Sequence, residues 1–168
     1  YVFTRSGTTW TQQQKLEASD IEDGDRFGGS VSIHDNTIVV GSRLASVGGY
    51  LVGASYVYVR AASSWSEQAK LLASDGSTGD SFGQSVSIYD DTIVVGSIEA
   101  DTATTAGGAA YIFERTGTTW TEQTILTASD AELDDNFGDA VAINGEFVVV
   151  GAYKEDQGDT ESGSAYIF

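Results

Sequence analysis

The sequence FGQSVSIYDDTIVVG at residues 82–96 contains the pattern that decides the fold. Two short runs, SVSI and TIVV, flank a polar turn, which is typical of a β-hairpin. The pattern also occurs 55 residues earlier as FGGSVSIHDNTIVVG (27–41) and 55 residues later as FGDAVAINGEFVVVG (137–151). A fixed period near 50 residues indicates one supersecondary unit stacked on copies of itself.

The repeat extends over the whole chain. Copies aligned without gaps span residues 1–55, 56–110 and 111–165, and Tyr-Ile-Phe at 166–168 begins a fourth copy because it matches Tyr-Val-Phe at 1–3. One tryptophan keeps the 55-residue step in every copy, at Trp10, Trp65 and Trp120. The chain contains no Met, and both ends fall inside a motif. We therefore expect it to be a segment of a longer array.

Each copy contains four β-like runs, which we label A, B, C and D. In the middle of the chain they are Tyr56–Arg60 (run C), Trp65–Leu72 (run D), Ser85–Ile88 (run A) and Thr92–Gly96 (run B). Pro is absent, and no segment keeps a helical spacing of apolar residues. Four such strands per repeat are typical of a β-propeller blade, whereas a β-solenoid usually has a shorter period. We predict an all-β chain of tandem four-stranded antiparallel blades, which three repeats cannot close into a propeller of about 4–8 blades.

The charge of the chain is unevenly distributed. If the runs alternate in direction, the A–B and C–D turns share one face, and the B–C and D–A loops share the other. Most of the 25 Asp and Glu residues lie in the B–C and D–A loops, where the basic residues are Arg26, Arg43 and Lys154. A net charge of −17 argues against nucleic acid, whose phosphates require Lys and Arg clusters. The apolar runs are too short to insert into a membrane.

Two Asp residues recur in every D–A loop, before the Phe-Gly pair. They are Asp20, Asp25, Asp75, Asp80, Asp130 and Asp135. One interpretation is that these side chains cap loop N–H groups and hold the turn into Phe-Gly. The other is a weak calcium site in each blade, completed by carbonyl groups. We favour capping and therefore expect that no cofactor is required; the acidic stretch 155–161 is interpreted as a solvated loop.

The B–C loop of the first copy differs from its equivalents. Residues 43–52 read RLASVGGYLV, whereas the corresponding loops are rich in Ser, Thr, Asp and Glu. Apolar residues in such a loop either fold over their own blade or contact a partner. The candidate contact residues are Leu44, Val47, Tyr50, Leu51 and Val52.

These motifs resemble the FG-GAP repeat family, which forms the blades of the integrin α-subunit propeller. The matching features are Phe-Gly, Ser-Val-Ser-Ile, Ile-Val-Val-Gly and Gly-x-x-Tyr-Val-Tyr, and the resemblance covers the whole chain. It implies an extracellular or cell-surface protein in adhesion or scaffolding, with ligands bound on the B–C and D–A loop face. The family's calcium loop, Asp-x-Asp-x-Asp-Gly-x-x-Asp between runs A and B, is replaced here by short turns such as 34–36. Such turns cannot supply the roughly 6–8 oxygen ligands that calcium needs, so that site is not carried over.

Enzyme chemistry finds no support in the sequence. There is no Cys, the single histidine, His34, lies in an A–B turn, and no phosphate-binding loop is present. We expect the arginines that end run C to pair with nearby carboxylates or carbonyls; they are Arg5, Arg60 and Arg115. The prediction is a non-enzymatic structural or adhesive repeat module that assembles with copies of itself or with a matrix. The alternative is a ligand-binding propeller, lectin-like or protein-binding, that uses the acidic B–C and D–A loop face for an extracellular glycan or a basic protein.

Overall fold

The computed structural model describes residues 1–101, 107–155 and 162–168, and this part of the chain contains strands and no helix. The strands are β1 (Val2–Ser6), β2 (Thr9–Gln14), β3 (Ser30–His34), β4 (Thr37–Ser42), β5 (Ser46–Val47), β6 (Tyr50–Leu51), β7 (Ala54–Ala61), β8 (Ser64–Leu71), β9 (Ser85–Tyr89), β10 (Thr92–Ser97), β11 (Ala109–Thr116), β12 (Thr119–Leu126), β13 (Phe137–Asn144), β14 (Phe147–Ala152) and β15 (Ser164–Ile167).

The strands form blades of the propeller type. The first blade is β3-β4-β7-β8, the second is β9-β10-β11-β12, and the third is β13-β14-β15; β1 and β2 form a leading hairpin. Neighbouring strands in each blade are antiparallel, and the order A, B, C, D within a blade is confirmed. The described blades do not close into a ring. Each complete blade takes runs A and B from one copy of the repeat and runs C and D from the next.

The core between consecutive blades, which we call a joint, is apolar and comes from both blades. In the first joint, Val39 and Val57 of the first blade pack with Val86, Ile88 and Ile93 of the second, and none of these side chains is more than 8% exposed. Full burial of such a side chain contributes about 1.5–3 kcal/mol. In the first two blades, run B is β-branched on both faces and almost fully buried, because each of its faces is covered by a neighbouring sheet or loop.

The Phe-Gly pair connects the two sides of a joint. The ring of Phe82 packs edge-on against Tyr111 of its own blade, with ring centroids 5.3 Å apart. Gly83 has a φ of +92°, and its backbone lies against the first blade, where a Cβ built on Gly41 would be 2.1 Å from the Gly83 carbonyl oxygen. In the second joint, a Cβ on Gly96 would be 1.9 Å from the Gly138 carbonyl oxygen. The joint therefore requires glycine on both sides.

Serine hydroxyls of run A make hydrogen bonds across each joint to the backbone of the next blade. The bonds are Ser30 Oγ to Gly83 O (2.9 Å), Ser85 Oγ to Gly138 O (2.7 Å), Ile88 N–H to Ser32 Oγ (3.2 Å) and Ile143 N–H to Ser87 Oγ (3.2 Å). The third blade has Ala140 and Ala142 at the corresponding positions. The face of the third blade that would contact a following blade therefore has neither hydroxyl.

The repeated tryptophans lie on run D. Trp65 and Trp120 are 6% and 9% exposed. The Trp65 indole N–H donates to Gln13 Oε1 of the leading hairpin (3.3 Å), and that of Trp120 donates across the joint to Gln68 Oε1 (3.0 Å). Trp10, in the leading hairpin, is 63% exposed because no blade covers it in the described part of the chain. Two of the three tryptophans therefore serve as packing residues.

Candidate functional site: the acidic loop face

The B–C and D–A loops lie together at one edge of the blades. In the first blade, Ser55 at the start of β7 pairs with Leu71 at the end of β8, so the loops before and after these strands are neighbours. At the opposite edge, the Arg60 N–H donates to the Asn36 carbonyl (2.9 Å), which joins a C–D turn to an A–B turn. The distribution of loops predicted from alternating strands is confirmed. We call the edge with the B–C and D–A loops the acidic loop face.

The second Asp of each D–A loop is a buried capping residue. Asp25, Asp80 and Asp135 are 5%, 5% and 3% exposed. In each case one carboxylate oxygen accepts the backbone N–H of the residue three positions earlier; the bonds are Glu22 to Asp25 (2.8 Å), Ser77 to Asp80 (2.7 Å) and Glu132 to Asp135 (2.6 Å). These carboxylates hold the turn that leads into Phe-Gly.

The first Asp of each loop has a different role. It accepts a hydrogen bond from the tyrosine hydroxyl of run C in the blade that the loop enters, in the pairs Tyr56–Asp20 (2.8 Å), Tyr111–Asp75 (2.9 Å) and Tyr166–Asp130 (2.8 Å). Lys70 also binds Asp20 (2.6 Å), and this hydrogen bond is the main reason why the pKa of Asp20 lies below its usual value. Burial and then the Asp75 carboxylate raise the pKa of the Tyr111 hydroxyl well above its usual value, so it remains a donor.

These tyrosine–aspartate pairs were not anticipated from the sequence. A signal was present, because each tyrosine follows its aspartate by 36 residues in all three pairs. A second repeated contact was also missed: the Ser74 hydroxyl and N–H donate to Glu122, as those of Ser19 do to Glu67. Both contacts join a D–A loop to the blade that follows it.

The two Asp residues of each D–A loop accept hydrogen bonds from different groups: the first from a tyrosine hydroxyl and the second from a backbone N–H. Within the described ranges, no group of three or more His, Cys, Asp or Glu side chains is arranged to hold a metal ion. Calcium binding at Asp20, Asp25 and their copies stays the alternative interpretation, for which the described residues contain no preformed cluster. Glu155 is buried and accepts a hydrogen bond from Ser164 (2.7 Å), whereas the rest of the predicted solvated loop, residues 156–161, lies outside the described residues.

The apolar B–C loop of the first blade folds into the β5–β6 hairpin. Leu44 and Val47 are half-buried, and Val52 is 8% exposed because it packs against Gly76 of the D–A loop that follows β8. Tyr50 and Leu51 are 64% and 52% exposed. The loop is thus buried toward its end and exposed at its tip, and partner contact by the tip residues Tyr50 and Leu51 stays a prediction.

The arginines that end run C have different hydrogen-bond and ion-pair partners. Arg115 pairs with Asp91 and donates to Thr37 Oγ1 of the preceding blade (3.0 Å), and Arg5 donates to the Gly7 carbonyl (2.7 Å). In the described part of the chain, the Arg60 side chain has neither kind of partner, so the expected pairing does not extend to it. His34 accepts the Asp90 N–H through Nδ1 (3.1 Å), which is a contact between two turns.

These features define an all-β repeat protein of the propeller type with an acidic loop face. The FG-GAP repeat model matches the chain three times, at residues 10–58, 65–113 and 120–168. The chain belongs to the FG-GAP repeat family. This repeat is generally a non-enzymatic module and is found in adhesion and integrin-like proteins. No curated protein matches the chain. Among the described residues there is no helix of the length and apolar character needed to cross a membrane.

Proposed function

We propose that the chain is a non-enzymatic structural or adhesive repeat module that associates with further repeats, from its own longer chain, a second copy or a matrix. One observation carries this proposal. Val31 and Ile33 of the first blade are 67% and 59% exposed, whereas their equivalents Val86 and Ile88, inside a joint, are 8% and 5% exposed. The first blade thus presents an uncovered copy of a surface that is apolar and buried where a preceding blade is present.

The proposed location is extracellular or on the cell surface. Membership of a repeat family that is found in adhesion proteins supports this location. A net charge of −17 keeps an exposed array soluble and argues for cationic rather than anionic partners. The blades are held by apolar packing and hydrogen bonds, so we propose that no cofactor is required. Antibody labelling of intact source cells is expected to detect the repeat, and labelling that requires permeabilised cells would contradict this location.

Sedimentation equilibrium tests the association. We expect the 168-residue chain to self-associate in a concentration-dependent way, and Ile33→Asp to reduce that association at least fivefold. Leu133→Asp is the matched control, because Leu133 is 61% exposed in a D–A loop and the substitution adds the same charge. A wild-type chain that stays monomeric at every concentration, or equal effects of the two variants, would refute association through this surface.

A second candidate function is binding of a separate ligand, a protein or a glycan, on the acidic loop face. The observation that favours it is the exposed tip of the β5–β6 hairpin, with Tyr50 and Leu51. Large apolar side chains are unusual at the centre of an acidic surface unless they are covered. A scaffold and a ligand-binding module are distinguished by whether variants at this tip change ligand binding without changing self-association.

A further inference from the structure

A hollow of about 370 Å³ lies between the β5–β6 hairpin and the D–A loop that follows β8. Its walls include Val47, Tyr50 and Val52 from the hairpin and Leu72 and Ala73 from the loop. Ser77 and Thr78 of the loop also line the hollow, and none of the lining side chains is charged. The hollow is therefore uncharged and more apolar than polar, although it opens on the acidic loop face.

The hollow is held in shape by the backbone. The Gly79 N–H donates to the Leu51 carbonyl (2.8 Å), and the Phe82 N–H donates to the Val52 carbonyl (3.1 Å). The hairpin turn uses Gly48 and Gly49 at φ +62° and +89°, which suits a tight two-residue turn. These bonds fix the hairpin against the loop, so the hollow exists before any partner binds and binding needs little reorganisation.

The side chains under the hairpin are matched in size. A Cβ on Gly76 would lie 2.7 Å from Cγ1 of Val52, so valine in the hairpin requires glycine in the loop. One repeat later, glycine stands in the B–C loop (Gly107) and the larger residue stands in the D–A loop (Ala131). A Cβ on Gly107 would lie 3.3 Å from Cβ of Ala131. The hairpin is thus accommodated by a compensating residue in the loop that faces it.

The D–A loop that forms one wall of the hollow is acidic, with Asp75 and Asp80. The pKa of Asp80, in the same loop, is raised first by burial and also by the nearby negative charges of Asp101, Asp75 and Glu99. Residues 72–79, which form one wall of the hollow, include no Lys or Arg. An apolar centre beside a loop whose charges are all negative is the complement of an apolar side chain flanked by positive charge.

We propose that this hollow is a docking site for a protein partner that inserts one apolar side chain flanked by Lys or Arg. The proposal rests on the second candidate function above and names its partner chemistry. Aliphatic walls favour an aliphatic anchor over a sugar, because a sugar needs several convergent hydrogen-bonding side chains. Tyr50 supplies an exposed, rigid aromatic wall of the kind that is enriched at interaction hot spots.

Two synthetic peptides, compared by fluorescence anisotropy, test whether the partner needs an apolar side chain in addition to positive charge. The first is Lys-Lys-Leu-Lys-Lys, and the second replaces leucine with serine while keeping the charge. We expect the leucine peptide to bind roughly 5- to 30-fold more tightly, which is about 1–2 kcal/mol, because the leucine side chain is partly buried in the hollow. Equal affinities would show that charge alone attracts the peptides and would overturn the proposal.

Matched variants test whether the leucine peptide binds in the hollow. Tyr50→Ser removes a wall of the hollow and is expected to lower the affinity for the leucine peptide to that for the serine peptide. Tyr153→Ser is the control, because Tyr153 is a 53% exposed tyrosine in another B–C loop and does not line the hollow. An equal loss in both variants, or none in Tyr50→Ser, would overturn the proposal. Thr78→Lys, which adds positive charge at the rim, is a second probe and is expected to weaken binding of the leucine peptide.

The outcomes also separate this site from the proposed scaffold role. Tyr50→Ser should leave self-association in sedimentation unchanged, whereas Ile33→Asp should reduce self-association and leave peptide binding intact. Thermal unfolding of each variant verifies that it is folded. Oligosaccharides are the remaining probe: if the wild-type chain binds them through Tyr50 and does not prefer the leucine peptide, the site is a glycan site and the proposal is wrong.

Discussion

Gly41 of the first blade and Gly83 of the second approach so closely that a Cβ on Gly41 would lie 2.1 Å from the Gly83 carbonyl oxygen. The neighbouring atom belongs to the backbone, which cannot move aside as a flexible side chain can. The glycine of Ile-Val-Val-Gly and the glycine of Phe-Gly therefore form one contact, although 42 positions of sequence separate them. The two motifs recur together because they are the two halves of a joint.

Gly41→Ala is expected to destabilise the chain by about 1–3 kcal/mol or more, as overpacking in a well-packed core does. Gly151→Ala is the matched control, because Gly151 has the same place in run B and a Cβ there would meet nothing closer than the Ala140 Cβ at 3.6 Å. Urea denaturation of both variants measures the difference. A loss for Gly41→Ala no greater than that for Gly151→Ala would contradict the close contact.

Trp65→Ala is expected to cost about 3–5 kcal/mol, because it removes a large buried side chain from the core between the leading hairpin and the first blade. Trp10→Ala should cost far less, since Trp10 has the same position in the repeat but is 63% exposed. Chemical unfolding followed by far-UV circular dichroism compares the two variants without relying on tryptophan emission. Near-neutral behaviour of Trp65→Ala would show that the residue does not pack as described.

Ala62→Gly is expected to stabilise the chain by about 1 kcal/mol, since left-handed backbone is costly for residues other than glycine. Ala62 has a φ of +54° in a C–D turn, and the other C–D turns have Gly7 and Gly117 at φ +62° and +65°. Ala61→Gly, one residue earlier at the end of β7, should instead be mildly destabilising. Differential scanning calorimetry measures both changes; a lower melting temperature for Ala62→Gly would be the contrary result.

Lys70→Gln is expected to make stability less sensitive to acid. Because the hydrogen bond from Lys70 lowers the pKa of Asp20 in the folded state, this pair contributes stability above the ordinary Asp pKa of about 3.9, and the contribution is lost as pH falls through the lower folded value. The partly exposed pair is worth about 0.5 kcal/mol at neutral pH. Unfolding free energies measured from pH 7 to pH 2 give the slope. Lys154→Gln, a lysine without an ion pair in the described residues, should leave that slope unchanged.

Calcium titration by calorimetry is expected to give no saturable heat at millimolar concentrations, because Asp25 is engaged by the Glu22 N–H. Asp25→Ala removes the acceptor and should cost about 0.5–2 kcal/mol in calcium-free buffer, as loss of a cap does. Asp25→Asn keeps an acceptor and should cost less. A saturable calcium signal in the wild-type chain that Asp25→Asn abolishes would establish a metal site instead of a cap.

The sequence was sufficient to predict the order of strands, the repeat and the face that collects the acidic loops. The alternation of apolar and polar residues and the turn residues are local signals, and each signal recurs in every copy because the repeat has a period of 55 residues. The exposure of Trp10 could not be predicted from its motif, because burial of this position depends on a neighbouring blade and not on the repeat itself. The pairing of Tyr111 with Asp75 left only an indirect signal, the constant spacing of 36 residues, and the size match of Val52 with Gly76 depends on a contact between separate segments.

The boundaries of a sequence repeat do not coincide with the boundaries of a blade. The family match at 65–113 begins on β8, the last strand of the first blade, and ends within β11 of the second. The unit that gene duplication would multiply is therefore not the unit that folds. Insertion of one further 55-residue copy completes a blade begun by its neighbour and leaves another to be completed, so the array gains one whole blade. A single excised copy has strands of two blades, and selection on such an array is expected to act on neighbouring copies together.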